Sequence, residues 1–130
     1  MKIFNLTAHP INIIAEADCR SNPAIRKLVA AADVKPVTTI PSYGMASAHH
    51  ATKLVRTIDG IPIYEKTVNT IDELPESDDP DTIYIVSALY VSAYKSMYPD
   101  STVGLYTVAD PVYTEDGRTI LGSRGIMKAF

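Results

Sequence analysis

The sequence holds one cysteine, Cys19, among 130 residues, so no intramolecular disulfide can brace the fold. It has no tryptophan and two phenylalanines, which leaves eight tyrosines as the main aromatic stock. No apolar run approaches the roughly 20 residues that cross a bilayer, which excludes a transmembrane helix. The opening Met1-Lys2-Ile3-Phe4-Asn5 shows no signal-peptide pattern, and with a lone cysteine this predicts a cytoplasmic protein. Familiar catalytic signatures are missing as well: there is no G-x-S-x-G elbow, P-loop, G-x-G-x-x-G or C-x-x-C pair. Basic charge is also scarce. Twelve cations stand against 15 carboxylates, for a net charge of −3, whereas proteins that bind DNA or RNA polymers are usually basic.

What is present describes a folded domain. Hydrophobic residues make up 46% and charged residues 21%, a globular composition. The length suits one domain over 1–130 that needs no structural metal. Six of the acids lie between Asp72 and Asp81 with no base among them. Without them nine acids face the 12 cations, so the remainder carries +3 and can attract a small anion. This acidic stretch is a poor place for packed structure.

Residue patterns give the expected elements. Lys2 to Leu6 and Ile11 to Ala15 read as a first hairpin around Thr7-Ala8-His9-Pro10. Asn22-Pro23 predicts a helix start, followed by Ile25, Leu28, Val29 and Ala32 at the spacing of a buried stripe. Val37 to Ile40 reads as a strand. Ala46 to Ile58 and Ile61 to Val68 read as a long hairpin around Asp59-Gly60, a type I′ turn signal. Thr82 to Val86 reads as a central strand covered on both faces. Ser87 then caps a second helix carrying a Tyr90/Tyr94/Tyr98 row. Strands at Val103 to Val108, Pro111 to Thr114, Thr119 to Gly122 and Arg124 to Phe130 complete the chain. The predicted class is a small single-domain α+β fold, with antiparallel sheets and hairpins packed with two helices.

Two cationic groups are the candidates for chemistry. Arg20, Arg26 and Lys27 cluster with Ser21 and Asn22 at the expected helix start, where uncompensated cations are disfavoured unless an anion joins them. Arg118 and Arg124 flank Gly122-Ser123 near Gly117 and Gly125, where guanidinium forks fit phosphate oxygens. The same residues also read as ordinary surface cations paired with nearby acids. Adjacent His49-His50 point to opposite faces of a strand and cannot chelate one metal. Cys19 reads as an inert thiol.

Three runs carry a family resemblance. They are Lys2-Ile3-Phe4-Asn5-Leu6-Thr7-Ala8-His9-Pro10-Ile11, then Tyr84-Ile85-Val86-Ser87-Ala88-Leu89-Tyr90-Val91, then Leu105-Tyr106-Thr107-Val108-Ala109-Asp110-Pro111-Val112-Tyr113 with Gly122-Ser123-Arg124-Gly125-Ile126. In this order the chain resembles the first-named family of phage Thoeris anti-defence proteins, small sponges for cyclic ADP-ribose signals. The resemblance implies binding of glycocyclic ADP-ribose without cleavage, in the cytoplasm of an infected bacterium. It implies a homo-oligomer, from dimer to hexamer, and no cofactor, metal or membrane. It points to Arg56, Tyr90, Arg118 and Arg124 for the ADP-ribose signal. It points to Ser21, Asn22 and Arg26 for cyclic di- or trinucleotides at a separate site. The alternatives are a small phosphodiesterase or cyclic ADP-ribose hydrolase using His9, His49 or His50 as base, or an interaction protein without a small ligand.

Overall fold

The computed structural model describes residues 2–130, apart from the side chains of His50, Val68 and Asn69. Twelve strands and one α-helix follow in chain order among the described residues: β1 (Ile3–Asn5), β2 (Ile11–Ile13), β3 (Arg20–Asn22), β4 (Lys27–Val29), β5 (Thr38–Ile40), β6 (Ala48–Ile58), β7 (Ile61–Ile71), β8 (Ile83–Ile85), α1 (Ala88–Met97), β9 (Leu105–Val108), β10 (Pro111–Tyr113), β11 (Ile120–Ser123) and β12 (Ile126–Lys128). A 3-10 turn at Glu16–Asp18 is the other helical piece. The protein is mainly β, which corrects the expected two-helix α+β class.

The missing helix is the one expected after Asn22. Asn22 Oδ1 does accept from the Ala24 N–H (3.1 Å), but it opens a turn over 23–26 and not a helix. Residues 20–29 form the tight hairpin β3–β4 instead. A short run such as Leu28-Val29-Ala30 fits a buried strand as well as a helix stripe. Pairing decides it: β4 lies parallel to β10, with Val112 opposite Leu28 and Tyr113 opposite Val29. Val29 and Ala30 are thereby buried.

The expected opening hairpin is also absent. Strand β1 joins a four-stranded sheet in the order β1-β8-β9-β12, while β2 joins a six-stranded sheet in the order β3-β4-β10-β11-β2-β5. Both sheets mix parallel and antiparallel pairs, so the expectation of antiparallel sheets is corrected too. The crossing between sheets is held by Asn5, which is buried. Its Nδ2 donates to the His9 and Ile40 carbonyls (2.9 and 3.1 Å), and its Oδ1 accepts from the Thr7 N–H and hydroxyl (3.0 and 2.6 Å). Four partners satisfy an amide that would otherwise be costly to bury.

Strand β8 is central as expected, with Tyr84, Ile85 and Val86 buried. The Ser87 side chain accepts from the Tyr90 N–H (3.2 Å) and caps α1. The helix packs Tyr90 and Val91 onto Leu6, Tyr84, Val86 and Leu105. A second cluster centres on Ile14, Ala30 and Val112. The acidic stretch is ordered against the first cluster, contrary to expectation. Leu74 packs there, the Tyr84 hydroxyl donates to the Pro75 carbonyl (2.8 Å), and the Tyr90 hydroxyl donates to the Asp72 carbonyl (2.5 Å).

Strands β6 and β7 pair only with each other and form an arm. Asp59 and Gly60 both have positive φ (50° and 77°), the type I′ geometry that Asp-Gly predicts. The root of the arm is pinned by Asp72. Its carboxylate bonds His49 Nε2 (2.7 Å) and accepts from the Ser47 N–H (2.9 Å), and these bonds, the first above all, hold its pKa below the ordinary value.

Two predictions follow from this packing. A depressed carboxylate stabilises the fold above its unfolded pKa, and that contribution disappears as pH falls through the folded value. Asp72→Asn should therefore melt below wild type at neutral pH, and the gap should close under strongly acidic conditions. Thermal unfolding against pH measures it. At Gly122, an added Cβ would collide with the backbone oxygen of Asn12. Gly122→Ala should cost ~2 kcal/mol by urea unfolding, as overpacking against a backbone atom does.

Candidate functional site

Strands β9–β10 and β11–β12 form one ribbon that bends from the four-stranded sheet into the six-stranded sheet. Residues 109–110 and 124–125 are the bend. The Ala109 N–H bonds the Gly125 carbonyl (2.8 Å), and the Arg124 N–H bonds the Asp110 carbonyl (3.2 Å). Ser123 is buried in the corner. Its hydroxyl meets the Ala109 and Gly125 carbonyls and accepts from the Gly125 N–H (3.2 Å). Arg124 leaves the ribbon at this corner, half-exposed, with Nη1 3.7 Å from Asp110 Oδ2.

The parallel pairing of β4 with β10 sets Leu28 beside Val112. One step back along each strand sets Lys27 beside Pro111, and another brings Arg26 towards Asp110. The result is a depression of about 420 Å³ lined by Arg26, Lys27, Tyr113, Asp110 and Arg124, with Leu28 and Pro111 as its apolar floor. That volume falls within the range of small-molecule sites. Lys27 Nζ donates to the Gly117 carbonyl (2.9 Å) and sits 4.2 Å from the Tyr113 ring centroid, a cation–π contact. Arg26 is exposed and has no hydrogen-bond or ion-pair partner among the described residues. Its φ is 54°, in the left-handed region, which costs a side-chain-bearing residue about 1 kcal/mol. Three cations thus face one carboxylate.

The structure brings together Arg26 and Arg124, which the sequence had assigned to different pockets. The other candidates lie elsewhere. Ser21 is exposed on β3, and the Asn22 side chain is engaged in the 23–26 turn. Arg118 is exposed on the turn after β10, next to the Gly117 carbonyl that holds Lys27, and does not line the depression. Arg20 pairs with Glu115. Arg56 is on the arm. Tyr90 is fully buried and has no exposed ring face; burial, with the neighbouring Tyr94 adding to it, pushes its hydroxyl up to about 12. It borders a separate cavity of about 280 Å³ with Tyr94, Tyr98, Glu73 and Glu76.

Sequence reasoning did not single out Tyr113 and left Lys27 out of its binding set. No local pattern marks them. Both depend on the parallel β4–β10 pair, which joins residues more than 80 positions apart.

His49 bonds Asp72 at the root of the arm and does not line the depression. His9 is exposed beside an apolar recess of about 430 Å³ lined by Ile11, Val108 and Leu121. The side chain of His50 lies outside the described residues. Burial raises the Cys19 pKa, which keeps it a thiol, and its Sγ lies 3.4 Å from the Ala15 carbonyl. Among the described residues no group of three or more His, Cys, Asp or Glu could hold a metal ion. No helix of the described residues is long and apolar enough to cross a membrane. No family model, curated protein or solved structure matches the chain.

Arg26 can be tested for a structural role. Arg26→Gly removes the charge and relieves the left-handed backbone, so the thermal midpoint should hold or rise. A clear drop in the midpoint would make Arg26 a structural residue.

Proposed function

We propose that the protein is a sponge that binds glycocyclic ADP-ribose and holds it without breaking a bond. The observation that carries this reading is the depression with Arg26, Lys27 and Arg124 around Tyr113. Three cations less the Asp110 carboxylate leave about two positive charges, which match the two negative charges of a pyrophosphate diester. The Arg124–Asp110 contact is long at 3.7 Å and solvent-exposed, so an anion can displace it cheaply. Arg26 needs no such release. Tyr113 offers aromatic surface for the purine. The resemblance in sequence supports the same ligand and an infected bacterial cytoplasm as its setting.

Cyclic di- and trinucleotides share this phosphate chemistry. Because Arg26 and Arg124 line one depression, we assign both ligand classes to that place. A sponge must outcompete a receptor by affinity, and nanomolar binding corresponds to about −12 kcal/mol. Each guanidinium that meets a phosphate contributes about 1.5–3 kcal/mol of that.

The hydrolase reading has one observation behind it, the His49–Asp72 hydrogen bond, which orients an imidazole as a base would require. A single experiment separates the two. Protein is loaded with glycocyclic ADP-ribose, denatured by heat, and the supernatant is analysed by mass spectrometry. Intact ligand is the expected result; linear ADP-ribose would sink the sponge. By calorimetry, Arg26→Ala and Arg124→Ala should each weaken binding by roughly 10- to 100-fold. Absence of binding heat in the wild type would instead favour an interaction protein without a small ligand.

A further inference from the structure

The cavity of about 280 Å³ beside Tyr90 lies between the tyrosine row of α1 and the start of the acidic stretch, and it shares no residue with the cationic depression. Part of its lining is aromatic. Tyr94 and Tyr98 stand four residues apart, with ring centroids 5.0 Å from each other and planes tilted by 46°. Glu73 and Glu76, both exposed, supply charge, and Ile71 and Leu74 supply apolar surface. Two tyrosine hydroxyls are already engaged: Tyr90 donates to the Asp72 carbonyl (2.5 Å), and Tyr94 bonds the Ser101 hydroxyl (3.0 Å). What remains on offer is ring surface, whose negative face attracts cations. This chain makes such contacts elsewhere, with Lys27 over Tyr113 and Lys95 over Phe130. No lysine or arginine lines this cavity, and among the described residues none lies over Tyr94 or Tyr98. The side chains of Glu73 and Glu76 have no hydrogen-bond or ion-pair partner among the described residues. Asp72, the third carboxylate of the lining, is held by His49 and Ser47.

We propose that this cavity binds a linear di- or polyamine, with its methylene chain on the tyrosine rings and its ammonium ends at Glu73 and Glu76. A metal ion is not the match, because among the described residues no group of three or more His, Cys, Asp or Glu could hold one. A nucleotide is repelled by the carboxylates, and the volume lies just below the usual range of small-molecule sites, which suits a slimmer ligand. A single ammonium would answer one carboxylate and leave the other alone. Three residue steps set the backbones of Glu73 and Glu76 at most ~10 Å apart, a span that a linear di- or triamine bridges. The methylenes between its charges suit the ring faces, Ile71 and Leu74. The carboxylates also start from fixed positions, since the Tyr90 and Tyr84 hydroxyls hold the Asp72 and Pro75 carbonyls on either side of Glu73. Place, ligand charge and residues all differ from those of the sponge reading, so this proposal is independent of it.

The test is calorimetry on the full chain with spermidine, butylamine and magnesium chloride at matched ionic strength. Spermidine should give saturable binding heat, butylamine should bind more weakly, and magnesium should not displace spermidine. The double variant Glu73→Gln with Glu76→Gln should weaken spermidine binding roughly 10-fold, the loss of two exposed ion pairs. Tyr98→Leu should weaken it roughly 2- to 5-fold, while Tyr98→Phe should keep wild-type affinity, because the ring and not the hydroxyl makes the contact. Asp81→Asn alters an exposed carboxylate of the same acidic stretch outside the cavity and should change nothing. All these positions are exposed, so far-UV circular dichroism should keep the native signal in every variant. Absence of saturable spermidine heat overturns the proposal, as does displacement by magnesium. A loss in Asp81→Asn equal to that in the double variant also overturns it, because attraction would then be spread along the acidic stretch.

Discussion

The corner at Ser123 holds the two sheets in one molecule. A single ribbon crosses from the four-stranded to the six-stranded sheet, and a crossing of that kind strands backbone carbonyls where regular pairing fails. The buried Ser123 hydroxyl meets those of Ala109 and Gly125. Because the corner is closed from inside, Arg124 is the residue that turns outward. Because β10 leaves the corner parallel to β4, Arg26 and Lys27 arrive at the same spot from the other end of the chain. The cationic depression is a consequence of how two sheets are joined, with Arg26 supplied by the β3–β4 turn and Arg124 by the bend.

Local signals in the sequence were legible where they were self-sufficient. Asp59-Gly60 set a turn whose two positive φ angles belong to type I′, and the long hairpin followed. Ser87 capped its helix, and Thr82 to Val86 lay centrally. Misreadings came where a distant partner decides. Ile25, Leu28, Val29 and Ala32 have helical spacing, yet Val29 and Ala30 are buried by a strand that begins at Pro111. Thr7 to Pro10 has turn chemistry, but the turn leads to a different sheet because Asn5 ties it to His9 and Ile40. Arg26 and Arg124 were each visible as cations. Their meeting was not, since it exists only after the parallel pair forms.

Polar groups in this protein are placed to define joints. Asn5 fixes the first crossing, Ser123 the last, and Asp72 the root of the arm. The acidic stretch shows the same economy. Its backbone carbonyls at Asp72 and Pro75 receive the hydroxyls of Tyr90 and Tyr84, so two core tyrosines keep their rings buried and their hydroxyls satisfied. That explains why Tyr90 is core, although the family resemblance points to it as a ligand contact. The aromatic group beside the cations is Tyr113, whose ring is held by Lys27.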